Sequence, residues 1–182
     1  MGLFDIFKKK EQTPDYDVTN LSVKDLDHGF ILDYNMESWQ VKEVYEYDWG
    51  HSNFSKEYLL DSGSKKVYLH VENKGELHLS ITRPIKILDL DKDLIEKTIK
   101  KQRPPKKLTF EDEEYRLHSD NAGHFNDKTK GTDEWEELIS FEYYNADETK
   151  LISITQWDER DFDASAGDII KEYEISNIIP AQ

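Results

Sequence analysis

His70 and His78 stand on either side of Asn73-Lys74-Gly75, a stretch suited to a three-residue hairpin loop with Gly75 in the left-handed region. Such a loop sets Glu72 opposite Glu76, Val71 opposite Leu77, His70 opposite His78, Leu69 opposite Leu79, Tyr68 opposite Ser80 and Val67 opposite Ile81. One face of the hairpin is then apolar and the other polar, as a half-buried antiparallel pair requires. Opposed imidazoles with Cβ atoms about 5 Å apart could share a metal or repel one another on protonation. Glu72 and Glu76 flank the pair, but specific ligation needs three or four groups. The plainer reading is two polar residues on a solvated face.

A second ligand-rich run is His118-Ser119-Asp120-Asn121-Ala122-Gly123-His124-Phe125-Asn126-Asp127. Its spacing fits neither a calcium loop nor a zinc pattern with histidines one helical turn apart. Turn-forming residues explain it equally well, and a long polar loop over 119–134 is expected. It remains a candidate ligand site, because long loops often carry function. The metal candidates are thus His70, His78, His118 and His124.

Two basic stretches interrupt an acidic chain. Lys97, Lys100, Lys101, Arg103, Lys106 and Lys107 form a cluster that contains no acid. Cations suit a helix C-terminus, which is the structural reading; docking of an acidic partner or anionic lipid is the functional one. At the start of the chain Leu3, Phe4, Ile6 and Phe7 form one apolar stripe at helical spacing, followed by Lys8, Lys9 and Lys10. This segment is similar to short amphipathic membrane-active peptides. Gly2 invites a myristoylation reading, but Ile6 stands where that motif needs Ser or Thr.

No glycine-rich phosphate loop follows a strand, no serine sits in an elbow motif, and there is no cysteine nucleophile. Carboxylates are so abundant that pairs such as Asp158-Glu159 carry no acid–base signal. No catalytic residue and no cofactor is assigned. The net charge of −15 repels phosphate, so nucleic acid is not an expected partner. Without cysteines there are no disulfides or thiolate zinc sites, which suits a reducing cytoplasm. No apolar run approaches the length of a spanning helix.

The elements that must position these groups are mainly strands. Ten Tyr, eight Phe and four Trp supply enough apolar area for a core despite the charge. Strands are expected near 30–34, 38–47, 56–61, 66–72, 76–81 and 85–88, then near 107–111, 114–118, 136–144, 150–157, 160–165 and 169–175. One helix is expected over 89–102, capped by Asp91 and stopped by Arg103-Pro104-Pro105. Leu32-x-Tyr34-x4-Trp39-x-Val41 matches Leu108-x-Phe110-x4-Tyr115-x-Leu117 at identical spacing. Glu57-Tyr58 before Lys66-Val67-Tyr68-Leu69 resembles Glu142-Tyr143 before Lys150-Leu151-Ile152-Ser153. A repeat of about 75 residues would make two similar antiparallel β units; loose alignment of alternating strands is the rival explanation. The fold class is therefore mainly β, a β-rich α+β chain. It divides into a tag and linker (1–17), a first β unit (18–89), a connecting helix (90–105) and a second β unit (106–182).

Asp25-Leu26-x2-Gly29, Leu32-Asp33-Tyr34, Trp39-x-Val41, Tyr47-x-Trp49-Gly50, Glu57-Tyr58-x-Leu60, Ser153-Ile154-x2-Trp157 and Gly167 together resemble the bacterial domain of unknown function 4178. The resemblance covers most of residues 22–180. It implies an accessory or partner-binding role and supplies no activity or catalytic residues.

The expected function is a cytoplasmic, non-enzymatic interaction or adaptor module with an unknown protein partner. Contact with an anionic surface at the inner membrane face through Leu3 to Lys10 is part of that expectation. The alternative is a small-ligand or metal-binding β domain that uses the 118–127 loop or the cleft between the β units.

Overall fold

A computed structural model describes residues 20–181. The strands are β1 (Ile31–Tyr34), β2 (Glu37–Asp48), β3 (Phe54–Asp61), β4 (Lys66–Asn73), β5 (Leu77–Ile85), β6 (Lys107–Phe110), β7 (Glu113–Asp127), β8 (Glu136–Tyr144), β9 (Lys150–Gln156), β10 (Phe162–Ile170) and β11 (Ile175–Ile179). All neighbours are antiparallel, in the order β11-β1-β2-β3-β4-β5-β10-β9-β8-β7-β6. The fold is mainly β, as the alternation of the sequence requires.

A further pairing turns the sheet into a ring. Tyr45 to Asp48 of β2 pair with Asp127 to His124 of β7, so eight strands, β2-β3-β4-β5-β10-β9-β8-β7, close on themselves. The short strands β1 and β6 branch off this ring. β2 carries a bulge between Val41 and Glu43, and β7 carries one between Leu117 and Ser119. Each bulge marks where its strand leaves a hairpin partner and joins the ring.

The two halves repeat one strand plan. Both short hairpins turn on two residues with positive φ, Asn35-Met36 and Glu111-Asp112, placed 76 positions apart. Positive φ at both central residues gives the twist that two-residue hairpins need. The bulges at Lys42 and His118 keep the same spacing of 76. Further on, the match shifts. Val41 pairs with Leu60 and Leu117 pairs with Tyr143, so Leu60 corresponds to Tyr143 and Tyr58 to Phe141. Leu60 pairs with Val67 and Tyr143 with Ile152, so Tyr68 corresponds to Ser153 and His70 to Thr155. The sequence alignments of Tyr58 with Tyr143 and of Lys66 with Lys150 are therefore out of step, because loop lengths differ between the halves.

Apolar residues occupy the outer face of the ring in two clusters. Tyr58, Leu60, Leu69, Val71, Leu79 and Ile81 form one with Leu32, Trp39 and Val41, closed by Val23, Leu26, Phe30 and Ile175. Phe141, Tyr143, Ile152, Ile154 and Ala166 form the other with Leu108, Phe110 and Tyr115, closed by Leu90 and Leu94. Leu90 and Leu94 lie on two short helices, α1 (Ile87–Leu90) and α2 (Leu94–Lys101), where the sequence suggested one. Asp91 breaks the helix rather than capping it from outside. Its carboxylate accepts from the Asp93 amide at 2.9 Å and from Lys97 Nζ at 2.5 Å. α2 ends at Gln102 in the left-handed region, with the Arg103 amide donating to the Thr98 carbonyl at 3.1 Å, just before Pro104-Pro105.

Other expectations change, among them the strand at 85–88, where β5 ends at Ile85 and α1 follows. The polar stretch 119–127 is not a loop but the second half of β7, held between β2 and β8. The strand expected at 160–165 runs on to Ile170 as β10, and the rest of the strand expected at 169–175 is a 3-10 turn, Glu172–Glu174, leading into β11. In the β4–β5 hairpin Asn73 pairs with Leu77 and His70 pairs with Ser80, so the loop is Lys74-Gly75-Glu76. His78 lies opposite Glu72, and the two histidines do not face each other.

Candidate ligand-binding cavity

Strand alternation puts a second set of residues on the inner face of the ring. In β2 these are Glu43, Tyr45 and Tyr47, followed by Trp49; in β3 Glu57; in β4 Tyr68 and His70; in β7 Phe125 and Asp127. The inward residues of β5, β8, β9 and β10 include Ser80, Thr82, Ser140, Ser153, Thr155 and Ser165. The ring is hollow because these hydroxyl residues are small. Where the first half places Tyr68 and His70, the second half places Ser153 and Thr155. The resulting cavity is about 620 Å³ and draws its lining from all eight ring strands. Eight-stranded closed sheets enclose either packed side chains or room for one small ligand.

The aromatic wall is continuous. The rings of Tyr47 and Trp49 stack with centroids 5.4 Å apart and planes within 2°. Phe125 touches Tyr45 at 5.3 Å, Tyr47 at 5.4 Å and Trp157 at 5.2 Å. Gly123 makes room for this wall: a Cβ there would lie 2.6 Å from the Trp49 ring and 2.9 Å from the Asp48 carbonyl oxygen.

The polar groups are ordered by this wall. Tyr47 Oη donates to Glu57 Oε1 at 3.0 Å, and Tyr45 Oη donates to Glu43. Ser119 Oγ donates to Glu142 Oε2 at 2.9 Å, and Trp157 Nε1 donates to Asp163 Oδ2 at 3.0 Å at the rim. His70 Nδ1 lies 3.7 Å from Glu57 Oε2. Burial presses the His70 imidazole toward neutrality, but Glu57, with Glu142 and Glu72 behind it, holds its pKa above the ordinary value. Burial and the adjacent carboxylates push the Tyr45 and Tyr47 phenols upward, so both stay protonated as donors.

A shallower vestibule of about 580 Å³ adjoins the cavity and is lined in part by Asp48, Gly123, His124 and Glu137. Trp49, Leu138 and Trp157 border both spaces.

The histidines singled out from sequence are dispersed. His70 is inside the ring, His78 is exposed beside Glu72, His118 sits on a bulge against the Tyr144 ring at 5.1 Å, and His124 borders the vestibule. Among the described residues no group of three or more His, Cys, Asp or Glu side chains is placed to hold a metal ion. The expected ligand stretch 118–127 contributes Phe125 and Asp127 to the cavity. In the basic cluster Lys97 pairs with Asp91, Arg103 with Asp120 at 3.0 Å, and Lys107 with Glu114 at 3.1 Å. Lys100, Lys101 and Lys106 are exposed. The membrane-contact candidates Leu3, Phe4, Ile6, Phe7, Lys8, Lys9 and Lys10 lie outside the described residues. No helix among the described residues is long and apolar enough to cross a membrane.

The residues that build the cavity were missed in the sequence, although a signal for them exists. Beyond the bulge at Lys42, Glu43-x-Tyr45-x-Tyr47-x-Trp49 alternates opposite to Val44, so this half of β2 carries an aromatic row on the face turned away from the outer cluster. A strand with a solvated outer face would not need that second aromatic row.

Among known proteins, a curated "Uncharacterized protein" of Aquifex aeolicus (strain VF5) is 26% identical over 177 residues, covering 96% of this chain and 94% of that protein. No solved structure matches the chain. The domain of unknown function DUF4178 matches residues 27–172, all of the ring and most of both outer clusters, and the chain therefore belongs to that family.

Proposed function

We propose that this protein is a non-enzymatic binding module that takes one small organic molecule into the ring. The observation that supports this reading is the hollow interior of about 620 Å³, walled by aromatics on one side and hydroxyl side chains on the other. Ligand sites are commonly concave spaces of about 300–1,000 Å³ with aromatic walls and a few placed polar groups. A ring built only for stability would fill this space, since unfilled volume costs packing energy.

The test is a thermal-shift and tryptophan-fluorescence screen of small metabolites against the full chain, using Trp49 and Trp157 as reporters. A ligand that raises Tm and changes fluorescence should lose both effects in Ser153→Phe. That substitution puts an aromatic ring where the first half has Tyr68 and fills the cavity. Ligands that bind Ser153→Phe as well as the parent would place binding elsewhere and remove the reading.

A further inference from the structure

We propose that the cavity selects an organic cation: an ammonium group joined to an apolar or aromatic body. This rests on the ligand-binding reading above and specifies its chemistry. Three glutamates, Glu43, Glu57 and Glu142, reach the interior from β2, β3 and β8. Only Glu57 has a cationic partner there, His70. Among the described residues no Lys, Arg or His forms an ion pair with Glu43 or Glu142; Glu43 is hydrogen-bonded by the Tyr45 hydroxyl, and Glu142 by the hydroxyls of Ser119 and Tyr144. Lys130, the one lysine bordering the space, is exposed and pairs with Asp127 at 3.2 Å.

Glu43, Glu57 and Glu142 are half-buried, and a cationic ligand would supply the counter-charge that Glu43 and Glu142 lack. The aromatic wall beside Glu43 and Glu57 offers the π faces of Tyr and Trp, which attract cations within about 6 Å of the ring centre. The overall charge of −15 adds a field that draws cations toward the protein and repels anions. An anionic ligand would meet three carboxylates, and a neutral one would leave two of them uncompensated. The hydroxyls of Ser140, Ser153 and Thr155 can accept or donate around the rest of the ligand without adding charge.

The experiment uses three near-isosteric probes on the full chain: 2-phenylethylamine, 2-phenylethanol and phenylacetate, followed by calorimetry and tryptophan fluorescence. N-phenyl-1-naphthylamine serves as an uncharged reporter of cavity occupancy. The amine should bind at least about tenfold more tightly than the alcohol, and phenylacetate should not bind, since charge-assisted hydrogen bonds are roughly twice as strong as neutral ones. Glu142→Gln and, separately, Glu43→Gln should remove about tenfold of the amine's affinity and leave the alcohol unchanged. Two variants guard against one failing to fold, and circular dichroism establishes that each has folded. Equal binding of amine and alcohol, or tighter binding of the acid, overturns the cation proposal and leaves the cavity reading intact. So does binding of the uncharged reporter alone. If neither the probes nor the reporter bind, both proposals fall.

Discussion

Trp49 and Trp157 occupy the same position in two different hairpin loops. The Trp49 amide donates to the Asn53 carbonyl at 2.9 Å, and the Trp157 amide donates to the Asp161 carbonyl at 2.9 Å. Each indole then donates to a side chain six residues on, Trp49 to Ser55 Oγ at 2.8 Å and Trp157 to Asp163 Oδ2 at 3.0 Å. Both rings stand between the inner cavity and the vestibule. The repeated loop geometry thus places two flat side chains at one mouth of the ring.

Removing either indole should widen that mouth. Trp157→Ala is expected to cost about 1–3 kcal/mol of stability, the range for losing a partly buried aromatic. It should also speed both entry and release of any cavity ligand. Stopped-flow fluorescence from the remaining Trp49 would measure this. Unchanged rates would mean that ligands reach the interior by another route.

The ring seam between β5 and β10 depends on Gly167. A Cβ at this position would lie 1.9 Å from the Ile81 carbonyl oxygen and 2.7 Å from the Thr82 Cα, both backbone atoms that cannot step aside. Gly167→Ala should lose more than about 3 kcal/mol in urea unfolding, the upper end of overpacking costs. Gly123→Ala also meets backbone, but at 2.9 Å, and should be milder while displacing the Trp49 ring. A Gly167→Ala protein as stable as the parent would show that β5 and β10 are not held at this spacing.

The outer and inner faces of β4 should respond oppositely to substitution. Leu69 is fully buried in the first apolar cluster, so Leu69→Asp puts an unpaired charge there and should prevent stable folding. His70 faces the cavity one residue later, and His70→Ser should change Tm by only a few degrees near pH 8. Comparable losses from both would mean that the faces are misassigned.

The His70 ion pair sets a pH dependence. Its pKa is raised in the folded state, so its stabilisation is complete below the ordinary value of 6.5 and fades as pH rises through the raised value. The groups facing it are Glu57 from β3, Glu142 from β8, Glu72 on its own strand and the Tyr47 ring at 5.8 Å. The stability difference between parent and His70→Gln should therefore be largest below pH 6.5 and shrink as pH rises above it. Imidazole NMR titration gives the same quantity directly. A His70 that titrates below 6.5 would show that burial outweighs the carboxylates.

Much of the local structure is legible in the sequence because side-chain direction in a strand has a period of two. The apolar rows of β4 and β5 were assigned to the right face even though the hairpin register was not. A slip of two residues moves His70 from His78 to Ser80 but leaves every side chain on the same face, so the hydrophobic pattern cannot detect it. The match of Leu32 through Val41 with Leu108 through Leu117 was readable for a related reason. Both stretches are short hairpins whose two-residue turns and bulges keep a fixed spacing, as the positive φ values at Asn35-Met36 and Glu111-Asp112 show.

By itself, then, the sequence determined a mainly β chain, the buried rows of β4 and β5, the helix stop at Pro104-Pro105 and the first half of the internal match. The tertiary structure alone decided that β2 pairs with β7 and β5 with β10, which closes the ring. Residues about 80 positions apart meet in those pairs, and nothing local records it, since a strand edge offers the same amide and carbonyl groups to any partner. Closure is what converts Glu43, Tyr47, Glu57 and His70 from an apparently solvated face into the wall of a cavity. It also draws the polar stretch 119–127 into a strand, because its backbone groups are satisfied by β2 and β8 rather than by its own side chains.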